Sequence, residues 1–279
     1  MARRRRRAWD DDDDFIALNA LDGGSPSDRP KPVGVPSRAI DPCDPSAVEL
    51  LATADIVATQ PVPWGSNYSF YVTLACEGEP RAVAVYKPRQ GEAPLWDFPS
   101  GTLYRREYAA YVVAGALGFD FIPPTVIRDG PHGVGTFQLF VEPDRSSEYF
   151  KFRHERADDL RAVALFDAIT NNADRKPGHC FTSRDGKLWG IDHGLCFNVV
   201  PKLRTVIWEF CGQPIPEPLL TRLWDLYTDP ARSDTLRCDI AELLHPNEIE
   251  AFFVRLARVT ERGEFPMLDP YHNVPRGFF

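Results

Sequence analysis

What the sequence lacks narrows its class. No apolar run approaches the length of a bilayer-spanning helix, so a cytoplasmic protein with no transmembrane segment is expected. Positive charge is not in excess: the formal net charge is −8, which argues against dedicated nucleic-acid binding. No CxxC pair occurs. The cysteines at 43, 76, 180, 196, 211 and 238 are too scattered for a structural zinc site and read as reduced thiols. An apolar segment is also missing after the arginine block Arg3–Arg7, where AWDDDDD follows, so an export signal in its usual form is not expected. There is no internal repeat.

What is present suits two lobes. A chain of 279 residues, 43% of them hydrophobic, fills one large domain or two smaller ones. Residues 1–45 carry an arginine block, an aspartate block and a proline-rich stretch, with little apolar surface to offset the entropy of ordering. We expect a disordered, solvated tail there; the competing reading is weak contact of Arg3–Arg7 with an anionic membrane. Residues 46–142 then read as a small lobe. SAVELLATADIV is a short helix, NYSFYVTLACEGEPRAVAVYKP a hairpin turned at EGEP, and SGTLYRREYAAYVVAGALG a helix stopped by Gly118. PTVIRD and GVGTFQLFVE make a second hairpin around GPHG. Residues 143–279 are mostly helical in period. ADDLRAVALFDAITNN, PEPLLTRLWDLYT, RSDTLRCDIAELL and HPNEIEAFFVRLARVTERG are the helices, and a short hairpin turns at Asp185-Gly186. The expected class is therefore α+β, with a β-rich N-lobe and a mostly helical C-lobe joined through the hinge-like FQLFVEPD.

That order of parts matches protein and lipid kinases, where catalysis needs positioning and charge neutralisation more than covalent chemistry. Gly65, Ser66 and Asn67 form a turn before a strand that would lay backbone N–H groups over phosphates, although the same residues are ordinary turn chemistry. Lys87 ends an alternating apolar strand, placing an ammonium where it would hold phosphate oxygens; edge protection is the plainer reading. Glu107, on the following helix, would pair with Lys87, and Gln138 in the hinge segment joins the nucleotide-binding set. In NNADRKPGH, Asp174 would orient or deprotonate an acceptor hydroxyl, with Arg175 and Lys176 neutralising phosphate beside it. Asp192, in GIDHG, would ligate a metal bridging two phosphates. Lys202 and Arg204 are candidate contacts for an anionic acceptor, or helix-surface charges.

The stretches ITNNADR…H and GIDHGLCF resemble the phosphatidylinositol 3- and 4-kinase superfamily. The blocks VYKPRQGEAPLWDFPSGTLYRREYAAY, PPTVIRDGPHGVGTFQLF and KLRTVIWEF are similar to an actinobacterial family assigned to it. The resemblance spans about residues 46–265, with a more distant likeness to HipA-like protein kinases. It implies a bilobal kinase-like fold that uses ATP with Mg²⁺ or Mn²⁺ to phosphorylate a lipid, protein or small molecule. One position departs from the pattern: His179 stands where the kinase pattern has a metal-binding asparagine. Magnesium favours oxygen ligands, so His179 implies a softer metal such as Mn²⁺, a phosphate contact, or loss of one metal. Asn171 and Asn172 are alternative oxygen donors. The competing functions are a nucleotide-binding pseudokinase and, last, a metal hydrolase with Asp174, His179, Asp192 and His193 as ligands.

Overall fold

The computed structural model describes residues 32, 36, 39–63, 67–144 and 147–275. The arginine and aspartate blocks, with the membrane contact considered for Arg3–Arg7, lie outside the described residues. The expected tail boundary at residue 45 falls too late. Ile40 already donates its N–H to Arg81 O (2.9 Å) and packs against the sheet core, because it offers apolar surface that the preceding charged stretch does not.

Helix α1, Ala47–Thr53, buries Ala47, Leu50 and Leu51. The helix ends earlier than its apolar spacing suggests. Asp55–Pro61 instead forms strand β1, since its run of Ile56, Val57, Ala58 and Thr59 suits a pleated edge and pairs antiparallel with β2, Phe70–Cys76. Strand β3, Glu79–Pro88, completes the first hairpin; β4, Thr125–Gly130, and β5, Gly133–Leu139, form the second. The sheet runs β1-β2-β3-β5-β4, antiparallel throughout.

Register sorts its two faces. Tyr86 lies opposite Phe137 and Ala84 opposite Leu139, and these residues join Val72, Leu74 and α1 in one apolar core. Lys87 opposite Thr136 and Val85 opposite Gln138 occupy the other face. Gly135 is needed beside them, because a Cβ at that position would collide with the Lys87 carbonyl oxygen.

Helix α2, Leu103–Ala116, begins where Glu92 Oε1 accepts the Tyr104 N–H (2.9 Å) and stops at Gly118, at φ +69°. Its Ala109, Ala110, Val113 and Ala114 do not join the sheet core. They pack with Leu160, Val163, Phe166 and Ile169 of α4, Ala157–Thr170, after the single turn α3, Tyr149–Phe152. The larger apolar core therefore crosses residue 142, and α2 ties the two halves together. Strands β6, Cys180–Thr182, and β7, Leu188–Gly190, form the short hairpin. Helices α5, Glu217–Thr228, α6, Pro230–Ile240, and α7, Pro246–Arg262, close the second half, with Leu223, Leu236, Phe252 and Leu256 in the same core. The α+β class is as expected, a β-sheet lobe followed by a helical one. No helix among the described residues is long and apolar enough to cross a membrane.

Candidate active site

Strand β3 delivers Lys87 to the junction of the halves. Its Nζ lies 2.9 Å from Glu107 Oε2 on α2 and 2.8 Å from Asp192 Oδ1 in the turn after β7. The lysine side chain is 26% exposed, Glu107 only 2% and Asp192 48%, so the trio runs from the interior to the mouth of a cleft. Burial pulls the Lys87 pKa down, but the carboxylates of Asp192 and Glu107 more than offset it and hold it above the ordinary lysine range. Burial likewise raises Asp192, yet Lys87, His179 and Lys176 outweigh it and hold the carboxyl well below its usual range. Asp192 has a left-handed backbone, φ +63°, uncommon for a non-glycine residue, which turns the chain sharply there.

The loop after α4 supplies the rest. Asn171 ends the helix in the left-handed region, φ +58°. Its amide donates to Asn198 O (2.9 Å) and Val200 O (2.8 Å), and its Oδ1 accepts Lys202 N–H (2.8 Å). Asn172 Oδ1 accepts the Asp174 N–H (3.0 Å) while its amide donates to Asp167 Oδ1 (2.9 Å). Both asparagines thus serve the loops, which removes them as alternative metal-binding oxygens. Asp174 stays partly exposed, with Lys176 Nζ 3.3 Å from its Oδ2. His179 closes the loop: Nδ1 lies 3.0 Å from Asp174 O, and Nε2 lies 3.4 Å from Asp192 Oδ2. His179 Nε2 and Asp192 Oδ2 thus face each other at 3.4 Å, an ion pair when the imidazole is protonated and a pair of donor atoms open to a cation when it is not.

Beneath this surface lies a second, wholly buried network. Arg175 donates through Nε to Asp167 Oδ2 and through Nη2 to Asp167 Oδ1, both at 2.8 Å. Its Nη2 also lies 2.7 Å from His193 Nε2, and its Nη1 donates to Ile191 O (3.0 Å). The expectation that Arg175 neutralises phosphate is therefore corrected, since its fork is spent on Asp167 away from solvent. His193 is held neutral: burial and the adjacent Arg175 push its pKa well below the usual histidine value. Its backbone N–H donates to Glu107 Oε1 (3.2 Å), joining this network to the Lys87 pair. That placement also removes His193 from the hydrolase ligand set. Among the described residues no three His, Cys, Asp or Glu side chains form a metal cluster.

Other expected site residues lie apart. Gly65 and Ser66 fall outside the described residues. Asn67 Oδ1 accepts the Ala93 N–H (2.7 Å), pinning a loop. Gln138 is buried on the Lys87 face and donates to Thr125 Oγ1 (3.0 Å). Lys202 is paired with Asp97 (2.8 Å) and lies over the exposed Trp96 ring, so it is not free for an acceptor. Asp167 escaped sequence reading, although a lone carboxylate inside the apolar run ALFDAIT is itself a signal that a buried cation awaits it.

No family model matches the chain. Among solved structures, a Golgi casein kinase superposes with a TM-score of 0.51 at 17% identity, covering 81% of this chain and 76% of the other. A Hydra Fam20 structure gives 0.52 at 15%, over 81% and 91%. These likenesses show a kinase-like fold. In sequence, phosphatidylinositol 4-kinase gamma 3 of Arabidopsis thaliana is 31% identical over 186 residues, 55% of this chain but only 30% of that protein. Protein Rv2133c of Mycobacterium tuberculosis is 40% identical over 233 residues, 70% of this chain and 80% of that protein. At that identity and coverage, the chain belongs to the family of Protein Rv2133c.

Proposed function

We propose that the protein is an ATP-dependent phosphotransferase of the phosphatidylinositol 3-/4-kinase-like superfamily, working in the cytoplasm. The observation that carries this reading is Lys87 held between Glu107 and Asp192, three residues from a strand, a helix and a turn that are distant in sequence. A lysine so fixed presents its ammonium to phosphate oxygens without the entropic cost of searching for them. The sheet half is the nucleotide side, and the half after residue 142 carries the acceptor chemistry. The six cysteines, all free, fit a reducing compartment.

Asp192 and His179 are the residues that would hold a divalent cation. When bound, such a cation neutralises charge on the transferring phosphate. One carboxylate and one imidazole favour Mn²⁺ over Mg²⁺. Asp174 orients the acceptor hydroxyl and takes up its proton, and Lys176 keeps that carboxylate in place. Arg175 acts one layer below, fixing the loop through Asp167.

The pseudokinase reading draws on a single contact: Asp192 Oδ1 is already engaged by Lys87. One assay separates the two. Transfer from γ-labelled ATP, with protein, lipid and small-molecule acceptor pools in Mn²⁺ and Mg²⁺, is expected in wild type and lost in Asp174→Ala. Nucleotide-dependent stabilisation is expected to survive that substitution. Stabilisation by ATP without transfer to any pool would establish the pseudokinase, and the absence of both would sink the nucleotide reading.

A further inference from the structure

The backbone beside the catalytic loop carries a second message. Arg175 and Thr205 form a parallel bridge, with Arg175 N–H donating to Arg204 O (3.0 Å) and Val206 N–H to Arg175 O (3.1 Å). Arg204 N–H donates in turn to Asn172 O (2.9 Å). These bonds place the Arg204 backbone between Asn172 and Arg175, directly flanking Asp174. Arg175 and Thr205 both point into the interior, and both are buried. Their predecessors, Asp174 and Arg204, are both partly exposed.

The neighbouring cations are all committed. Lys87 is held by Glu107 and Asp192, Arg175 by Asp167, Lys176 by Asp174 and Lys202 by Asp97. Arg204 alone among these five has no ion pair or side-chain hydrogen bond among the described residues. The chain has 40 acidic against 32 basic residues, so carboxylates to pair it are not scarce. An unpaired guanidinium beside the acceptor-orienting aspartate is a planar fork suited to a phosphate or carboxylate.

We propose that Arg204 is the specificity-determining residue of the acceptor subsite, and that the acceptor carries a phosphate or carboxylate beside the hydroxyl presented to Asp174. This inference rests on the phosphotransferase reading. Lys202 is not a second anion contact, being consumed by Asp97 and Trp96.

The test uses the full chain, wild type, Arg204→Gln and Arg204→Lys. Thermal stability is measured with saturating adenylyl imidodiphosphate and Mn²⁺, then with inorganic phosphate or malonate titrated on top. Equal melting temperatures without ligand, and equal rises with nucleotide, show that the variants fold and keep the nucleotide side. Wild type is expected to gain a further rise with at least one anion, and that anion names the recognised group. Its apparent affinity is expected to fall about ten- to a hundredfold in Arg204→Gln, in line with loss of a charge-assisted hydrogen-bonded group. Arg204→Lys is expected to recover part of it, more weakly at high salt. If neither anion binds wild type, or Arg204→Gln binds as well as wild type, the proposal is overturned. Arg204-dependent anion binding with no nucleotide response would keep the anion site and overturn the phosphotransferase reading instead.

Discussion

Two ionic networks lie within a few residues of each other in this chain, and they are built to opposite specifications. The upper one, Lys87 with Glu107 and Asp192, grades from a buried glutamate to a half-exposed aspartate at the cleft. The lower one, Arg175 with Asp167 and His193, is sealed from solvent. An ion pair open to water is cheap to form and cheap to rearrange. A buried one is costly to desolvate and more costly to leave half-made. On the proposed function, the upper network serves binding and the lower one holds the loops that carry Asp174 and Asp192.

The largest expected effect strikes the lower network. Arg175→Met strands the Asp167 carboxylate without its cation, and a loss of about 3–5 kcal/mol is expected in denaturant unfolding. A loss under 1 kcal/mol would show that water reaches Asp167 and would dissolve the contrast between the networks.

A smaller effect comes from pH. His193 is held neutral in the fold, with its pKa depressed by burial and by Arg175, while an unfolded histidine titrates near about 6.5. Below that value the unfolded chain binds the extra proton and the folded chain does not. Stability from this group is thus complete above about pH 6.5 and declines on acidification by at most about 1.4 kcal/mol per pH unit. The upper pair behaves differently. Depression of Asp192 leaves its contribution intact until pH falls below the usual carboxylate range, and elevation of Lys87 keeps its own until pH rises past the usual lysine range. Unfolding curves from pH 7 to 5 are expected to lose this slope in His193→Asn and to keep it in Lys87→Met. The reverse pattern would exchange the roles of the networks.

A loss short of that for Arg175→Met, about 1–3 kcal/mol, is expected for Lys87→Met, because Asp192 turns to water while the buried Glu107 keeps only the His193 N–H. The same variant is expected to lose the melting-temperature rise with ATP and Mn²⁺. Retention of that rise would remove Lys87 from the nucleotide site.

Much of this was legible along the chain. Apolar spacing located α2, α4 and α7, and the EGEP and GPHG turns located the two hairpins of the sheet. The alternation of AVAVYKP marked Lys87 as the polar end of a buried strand, and YRREYAAY offered Glu107. Strand β1 was missed because ADIV continues a helical spacing, and only pairing with β2 makes it extended. Arg175 was misread for a related reason. Beside Asp174 an arginine looks like a phosphate ligand until Asp167, a helix away, is found to occupy both arms of its fork.

The sequence by itself determined the elements, their order and the residue types available for chemistry, since helical period, strand alternation, caps and turns act over a few residues. Only the tertiary structure decided which charge meets which. Lys87 and Asp192 are 105 residues apart, and the separation says nothing about their 2.8 Å contact. A charge's role depends on its partner and its exposure to water, and both are properties of packing between distant segments. The five neighbouring cations are alike as letters; among the described residues, burial and pairing leave Arg204 alone without a partner.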